Sequence, residues 1–314
     1  MQENYIPLRI NRDFGDIITT YFDFFKQNIK KFTNVFLSYN GIFFVALLIV
    51  SYLMVSGFMG LIASESNLYG LNRPEEGADE NYLILIGFGG LLFFVVFIAV
   101  AVLNYSLSSS YMILYDHKES NHFEKKEVWA FTRNQFGNII LFVLLLIPIY
   151  LIFMIISVFC AIIPILGIFI QYILQFAMTA WLGVSFFDML QNKKGVSTAL
   201  GEGWNLVMKN FWKSVGVNFV LGLLLAILMV LALTIPGVIM GVYTFHVVEN
   251  DVDFVNSVVA TVVYTLGTCI FLIVLVYGQC LSQFGNGLLY YALHEKTYNI
   301  NTRKKIDQIG ESLQ

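Results

Sequence analysis

Charge is what this chain of 314 residues has least of: Asp, Glu, Lys and Arg make up 12% of it. A soluble domain carries about 25%. A surface so poor in ions cannot solvate a globule of this size, which argues against a cytosolic enzyme and a disordered chain. The 18 basic and 21 acidic residues leave a net charge of -3, so there is no basic footprint for nucleic acid. Cysteine is scarce too. Cys160, Cys269 and Cys280 lie in long apolar runs without Cys-x-x-Cys spacing, and they read as small buried hydrophobes. The sequence holds no His-Glu-x-x-His, Gly-x-Ser-x-Gly or phosphate-binding Gly-Lys-Ser/Thr motif. The N-terminal stretch lacks the apolar core of a signal peptide, and spanning density starts only near Gly41, so the whole chain is expected in the mature protein.

What the chain has is apolar length. Its composition is 58% hydrophobic and 16% aromatic. A hydrocarbon core of roughly 30 Å needs about 20 apolar helical residues. Six runs meet that need: 41–63, 82–114, 139–163, 166–190, 215–247 and 254–293. They are apolar on every face, whereas barrel strands alternate over about ten residues. The fold class is therefore all-α and polytopic, with six transmembrane helices. The last run is long enough to protrude, tilt or break, with Gly267, Gly278, Gly285 and Gly287 as its weak points. Pro148 and Pro236 should kink the third and fifth spans. Pro164 fits a tight turn between the third and fourth.

Lys and Arg mark the side retained during insertion. With six spans, every basic residue except Arg73 falls on one side. The other side carries Glu65, Glu75, Glu76, Asp79, Glu80, Glu249, Asp251 and Asp253. Both termini are thus expected in the cytoplasm.

The spans pair into three hairpins, and an amphipathic stretch precedes each. In the first, Phe14, Ile18, Tyr21, Phe25, Ile29, Phe32 and Phe36 form a helical stripe. The second is centred on Val128, Trp129 and Phe136. The third carries Val196, Leu200, Trp204, Val207 and Phe211. Asn28, Asn134 and Asn210 stand where each stretch meets its span and suit a break between two helices. The exits LYDHK, LQNKK and LHEKT match as well. The whole chain, 1–314, reads as one integral membrane domain. Its repeat-like units span about 13–118, 124–194 and 196–297, followed by a cytoplasmic tail, 298–314.

Within 196–242, Ala199 and Trp204 lie on an amphipathic helix, Lys209 to Trp212 read Lys-Asn-Phe-Trp, and Ile235 to Gly237 read Ile-Pro-Gly. On these features the chain resembles a group of bacterial six-helix membrane proteins. The group includes the membrane domain attached to some glycerophosphoryl diester phosphodiesterases and several families of unknown function. The resemblance implies a helical domain in the bacterial inner membrane. The phosphodiesterase chemistry of fused relatives lives in a separate soluble barrel, for which this chain has no room, so no activity is carried over.

No span core holds an acid or base, which argues against proton-coupled transport. His117 and His122 have near-ligand spacing beside Asp116, Glu119 and Glu124, but a solvated loop is the plainer reading. No catalytic, cofactor or metal role is assigned. The neutral polar residues Asn104, Gln171, Gln175, Asn218, Gln279, Gln283 and Asn286 form a candidate intramembrane cluster. They either hydrogen-bond helices together or line a polar path. The expected function is non-catalytic, through membrane lipids or a membrane protein partner. The alternative is a transporter or channel for a neutral or amphipathic solute.

Overall fold

The computed structural model describes residues 5–68, 78–249, 257–301 and 303. Arg73, Glu75, Glu76, Asp251, Asp253, Lys304 and Lys305, used above for orientation, lie outside them. The described residues form eight helices and no strand: α1 Phe14–Leu68, α2 Ala78–Lys118, α3 Lys125–Asn134, α4 Phe136–Ala161, α5 Leu166–Asn192, α6 Val196–Lys209, α7 Phe211–Glu249 and α8 Val258–Tyr298. Six of them (α1, α2, α4, α5, α7 and α8) are long and apolar enough to cross a membrane. The protein is a multi-pass helical membrane protein.

The chain divides into two compact units. Unit 1 comprises Met1–Phe36, Tyr105–Leu225 and Cys280–Gln314, and unit 2 comprises Leu37–Asn104 and Ala226–Gln279.

The helix breaks expected beside asparagines form in two of three places. Asn210 is the C-cap of α6 and precedes α7. Gln135, one residue beyond Asn134, separates α3 from α4. At Asn28 the expectation fails, because α1 runs unbroken for 55 residues. Asn28 is satisfied inside that helix: its Nδ2 donates to the Phe24 carbonyl at 2.9 Å, and its Oδ1 accepts from Tyr111 Oη at 2.9 Å. With no backbone group to release, nothing ends the helix there.

Helix α8 likewise stays whole over 41 residues, about 60 Å. Its glycines are sites of close packing. In unit 1 a Cβ at Gly287 would stand 2.6 Å from Met112 Sδ and 2.8 Å from Phe187. In unit 2 a Cβ at Gly278 would stand 1.7 Å from Met229 Cε. Pro148 and Pro236 lie inside α4 and α7 and end neither. The turn at Pro164 forms as expected. The Leu166 amide donates back to the Pro164 carbonyl at 2.6 Å around Ile165, whose φ is 60°. That closes a γ-turn, a strained conformation for a β-branched residue.

Only part of each amphipathic stripe is buried: Tyr21, Phe32 and Phe36 in α1, and Val196 and Val207 in α6. In α6 the buried residues are Val196, Ala199, Gly203, Leu206 and Val207, and Trp204 is 48% exposed. In the first half of α1 the buried residues include Ile17, Tyr21, Phe24, Asn28 and Phe32, while Phe14, Phe22 and Ile29 face outward. Small residues turn inward in α6 because α5 lies close. A Cβ at Gly203 would stand 2.0 Å from Ser185 Oγ and 2.9 Å from its Cα. Trp181 Nε1 donates to the Leu200 carbonyl at 2.9 Å, and its ring meets Trp204 edge-on at 5.2 Å. Helix α3 docks on α2 in a similar way, with Thr132 Oγ1 and Ser110 Oγ 2.8 Å apart. Both amphipathic helices therefore pack onto the preceding membrane helix and leave a tryptophan, Trp129 or Trp204, at the surface.

Candidate functional site

The predicted polar residues separate into distinct settings. In unit 1, Gln283 on α8 is fully buried. Its Nε2 donates to Ser109 Oγ on α2 at 2.8 Å and to the Gly183 carbonyl on α5 at 3.3 Å. Asn286 Nδ2 donates to Gln283 Oε1 at 3.4 Å. Gly183 is required for this approach, since a Cβ there would stand 2.1 Å from Asn286 Nδ2. Three membrane helices are thus joined by hydrogen bonds.

Unit 2 holds a separate pair. Asn40 Nδ2 donates to Asn104 Oδ1 at 2.9 Å, and Asn104 Nδ2 reaches the Val276 carbonyl at 3.5 Å. Gln279, also in unit 2, is partly buried.

Gln175 and Asn218 meet at a cavity of about 100 Å³ in unit 1, with Thr179 and Ser282 completing its polar lining. Asn218 also donates to the Ser214 carbonyl at 3.2 Å. Gln171, on the same helix face as Gln175, is exposed.

Where α2, α5 and α8 end, unit 1 carries an ionic and tyrosine network absent from the predicted set. The Asp188 side chain is fully buried. It accepts from Lys194 Nζ at 3.1 Å, Asn192 Nδ2 at 2.6 Å and Tyr290 Oη at 3.0 Å. Asp116, 5% exposed, pairs with Arg9 Nε at 2.7 Å. Burial works to lower the Arg9 pKa, and Asp116 outweighs it, so the guanidinium is held more firmly charged than usual. Burial, aided by Asp116, pushes the nearby Tyr5 hydroxyl up. Tyr291 Oη donates to Gln191 Oε1 at 2.9 Å, and Gln191 Nε2 lies 3.1 Å from His117 Nε2.

This network pins the segment before α1. The Ile6 amide donates to Tyr115 Oη at 2.8 Å, Leu8 is fully buried, and Asn301 Nδ2 donates to the Arg9 carbonyl at 2.9 Å. The signal for the network was present in the repeated exits. Asp116 and Glu295 each stand two residues after an exit leucine, and both are buried.

No family model, curated protein or solved structure matches the chain.

Chemically, the buried acids are occupied. Asp188 and Asp116 each hold a cation and further donors, an arrangement that fixes helix ends. Among the described residues, no three of His, Cys, Asp and Glu converge to hold a metal ion. His117 faces Gln191, and His122 Nδ1 lies 3.0 Å from Asn121 Oδ1.

Proposed function

We propose that this is a non-catalytic protein of the bacterial cytoplasmic membrane, with both termini in the cytoplasm, that acts through lipids or a membrane protein partner. The observation that carries the reading is the way the buried amides are used. Gln283 bonds to α2 and α5, and Asn104 bonds to α1 and α8, each within its own unit, while Asn286 bonds to Gln283 on its own helix. Interhelical bonds of this kind are worth about 0.6–2 kcal/mol each in a membrane. Groups so engaged hold a bundle together and are not offered to a passing solute.

A second reading, transport of a small neutral solute, draws on the cavity at Gln175 and Asn218. Its volume is about 100 Å³. Typical ligand pockets begin near 300 Å³. The size favours the first reading.

The partner-or-lipid reading also draws on the tryptophans. Trp129, Trp204 and Trp212 are 37%, 48% and 73% exposed, close to the basic loops. Such residues settle at the headgroup level. Native mass spectrometry after extraction in mild detergent tests the reading. Retention of a protein at fixed stoichiometry, or of phospholipid, is expected. Retention of a soluble small molecule alone would favour transport.

A further inference from the structure

A groove of about 280 Å³ lies in unit 1 between α1 and the start of α3. Lys31, Lys125 and Lys126 stand around it, and Val35 and Phe123 supply its apolar wall. We propose that this groove binds the phosphate of an anionic phospholipid headgroup. The inference rests on the lipid-contact reading above and assigns it a place.

Three observations converge. The first is an excess of positive charge around a concave site, three lysines against the one carboxylate of Glu124. Lys31 is held in place there: its ammonium donates to the Asn121 carbonyl and lies 5.3 Å from the centre of the Phe123 ring. Two acids are close, but both are engaged. Glu124 caps α3 in a reciprocal capping box with Glu127, and Glu127 is also paired with Lys118. Lys126 is exposed, and so is Lys125.

The second observation is a local rule broken. Lys125 and Lys126 occupy the first two positions of α3. The positive end of a helix disfavours cations, by about 0.3–1 kcal/mol each. Side chains that oppose their own helix are expected where a ligand offsets the cost, and an anion between them and Lys31 would do so.

The third is position. On the α3 side, Trp129 and Phe136 are 37% and 56% exposed. A headgroup in the groove would leave its acyl chains beside apolar helix surface, at the level where tryptophan marks the interface. The volume suits a headgroup and not a whole lipid.

The test is native mass spectrometry of the full chain, titrated with phosphatidylglycerol, phosphatidylcholine or inorganic phosphate. Wild type is expected to retain phosphatidylglycerol in preference to phosphatidylcholine, with inorganic phosphate unable to displace it. Lys125→Gln with Lys126→Gln should weaken that retention by about tenfold or more. The charge-matched control, Lys193→Gln with Lys209→Gln, should leave it within about twofold. Equal retention by the double variant and wild type would overturn the groove while leaving the lipid reading in place. Equal loss in the control would also overturn the groove, since net charge alone would then explain binding. No preference for phosphatidylglycerol in wild type would overturn both. Displacement by inorganic phosphate would assign the groove to a free anion and overturn the lipid.

Discussion

Of the twelve largest fully buried side chains among the described residues, eleven belong to unit 1 and nine of those are Tyr or Phe; unit 2 contributes Leu47. All three ion pairs among the described residues also lie in unit 1. Unit 2 is held differently. In its α1–α2 hairpin, Gly57 lies against Ile86, and a Cβ at Gly60 would stand 2.2 Å from the Tyr82 ring. The contrast follows from the solvent. Lipid tails are as apolar as leucine, so helices within lipid associate through shape and a few polar contacts. Unit 1 carries the basic loops, so part of it excludes water, and there the burial of aromatic surface is strongly favourable.

The largest effect should come from an ion pair that unit 2 lacks among its described residues. Lys194→Met leaves the Asp188 carboxylate buried with only Asn192 and Tyr290 as donors. Removing one partner of a buried pair costs about 3–5 kcal/mol. The lower end is expected, because Lys194 is itself 32% exposed. Thermal unfolding in detergent reads the loss. A midpoint equal to wild type would mean that Asp188 does not need its cation.

Next come two glycines, one from each unit. At Gly203 an added Cβ meets the backbone Cα of Ser185 at 2.9 Å as well as its hydroxyl, and backbone cannot step aside. Gly203→Ala should cost about 1–3 kcal/mol. At Gly267 the obstacle is Met240 Sδ at 2.2 Å, part of a flexible side chain. Gly267→Ala should cost under about 1 kcal/mol. Equal losses would erase the distinction between a rigid and a compliant contact. Smaller again are the polar substitutions. Gln283→Leu in unit 1 and Asn104→Leu in unit 2 should each cost about 1 kcal/mol. A much larger loss at Gln283 would show that its cluster acts cooperatively.

The membrane helices were legible because periodicity and length carry them, and Pro164 marked its turn. The inward face of the amphipathic helices was not. The sequence pattern grouped Trp204 with Val196, Leu200, Val207 and Phe211 on one interfacial stripe. The structure buries Ala199 and Gly203 instead, because close approach to α5 needs small side chains and an interfacial tryptophan gains more at the headgroup level. Asn28 misled for a related reason. An asparagine ends a helix only when its side chain competes for a released backbone group, and Tyr111, distant in sequence, occupies it. The candidate site was half visible. Gln283 and Asn286 were found by helical spacing, but the partners of Asp188 and Asp116 come from segments that only the tertiary fold brings together.

The smallest expected effect concerns α3, whose N-terminus borders the proposed headgroup groove. Hydrogen bonds from Lys118 and from the Glu124 backbone hold the Glu127 carboxyl below its usual value of 4.5. A carboxyl depressed in the folded state adds stability that is complete above its unfolded value and is lost as pH falls through the folded one. The wild-type thermal midpoint should therefore fall as pH drops below 4.5, and Glu127→Gln should remove a small part of that fall. The Glu127 side chain is 41% exposed, so salt should shrink the difference further. A wild-type and Glu127→Gln pair with parallel pH profiles at low salt would show that the Lys118 contact leaves the helix start unaffected. The lysines at the first two positions of α3 would then be tolerated there without help from the capping box.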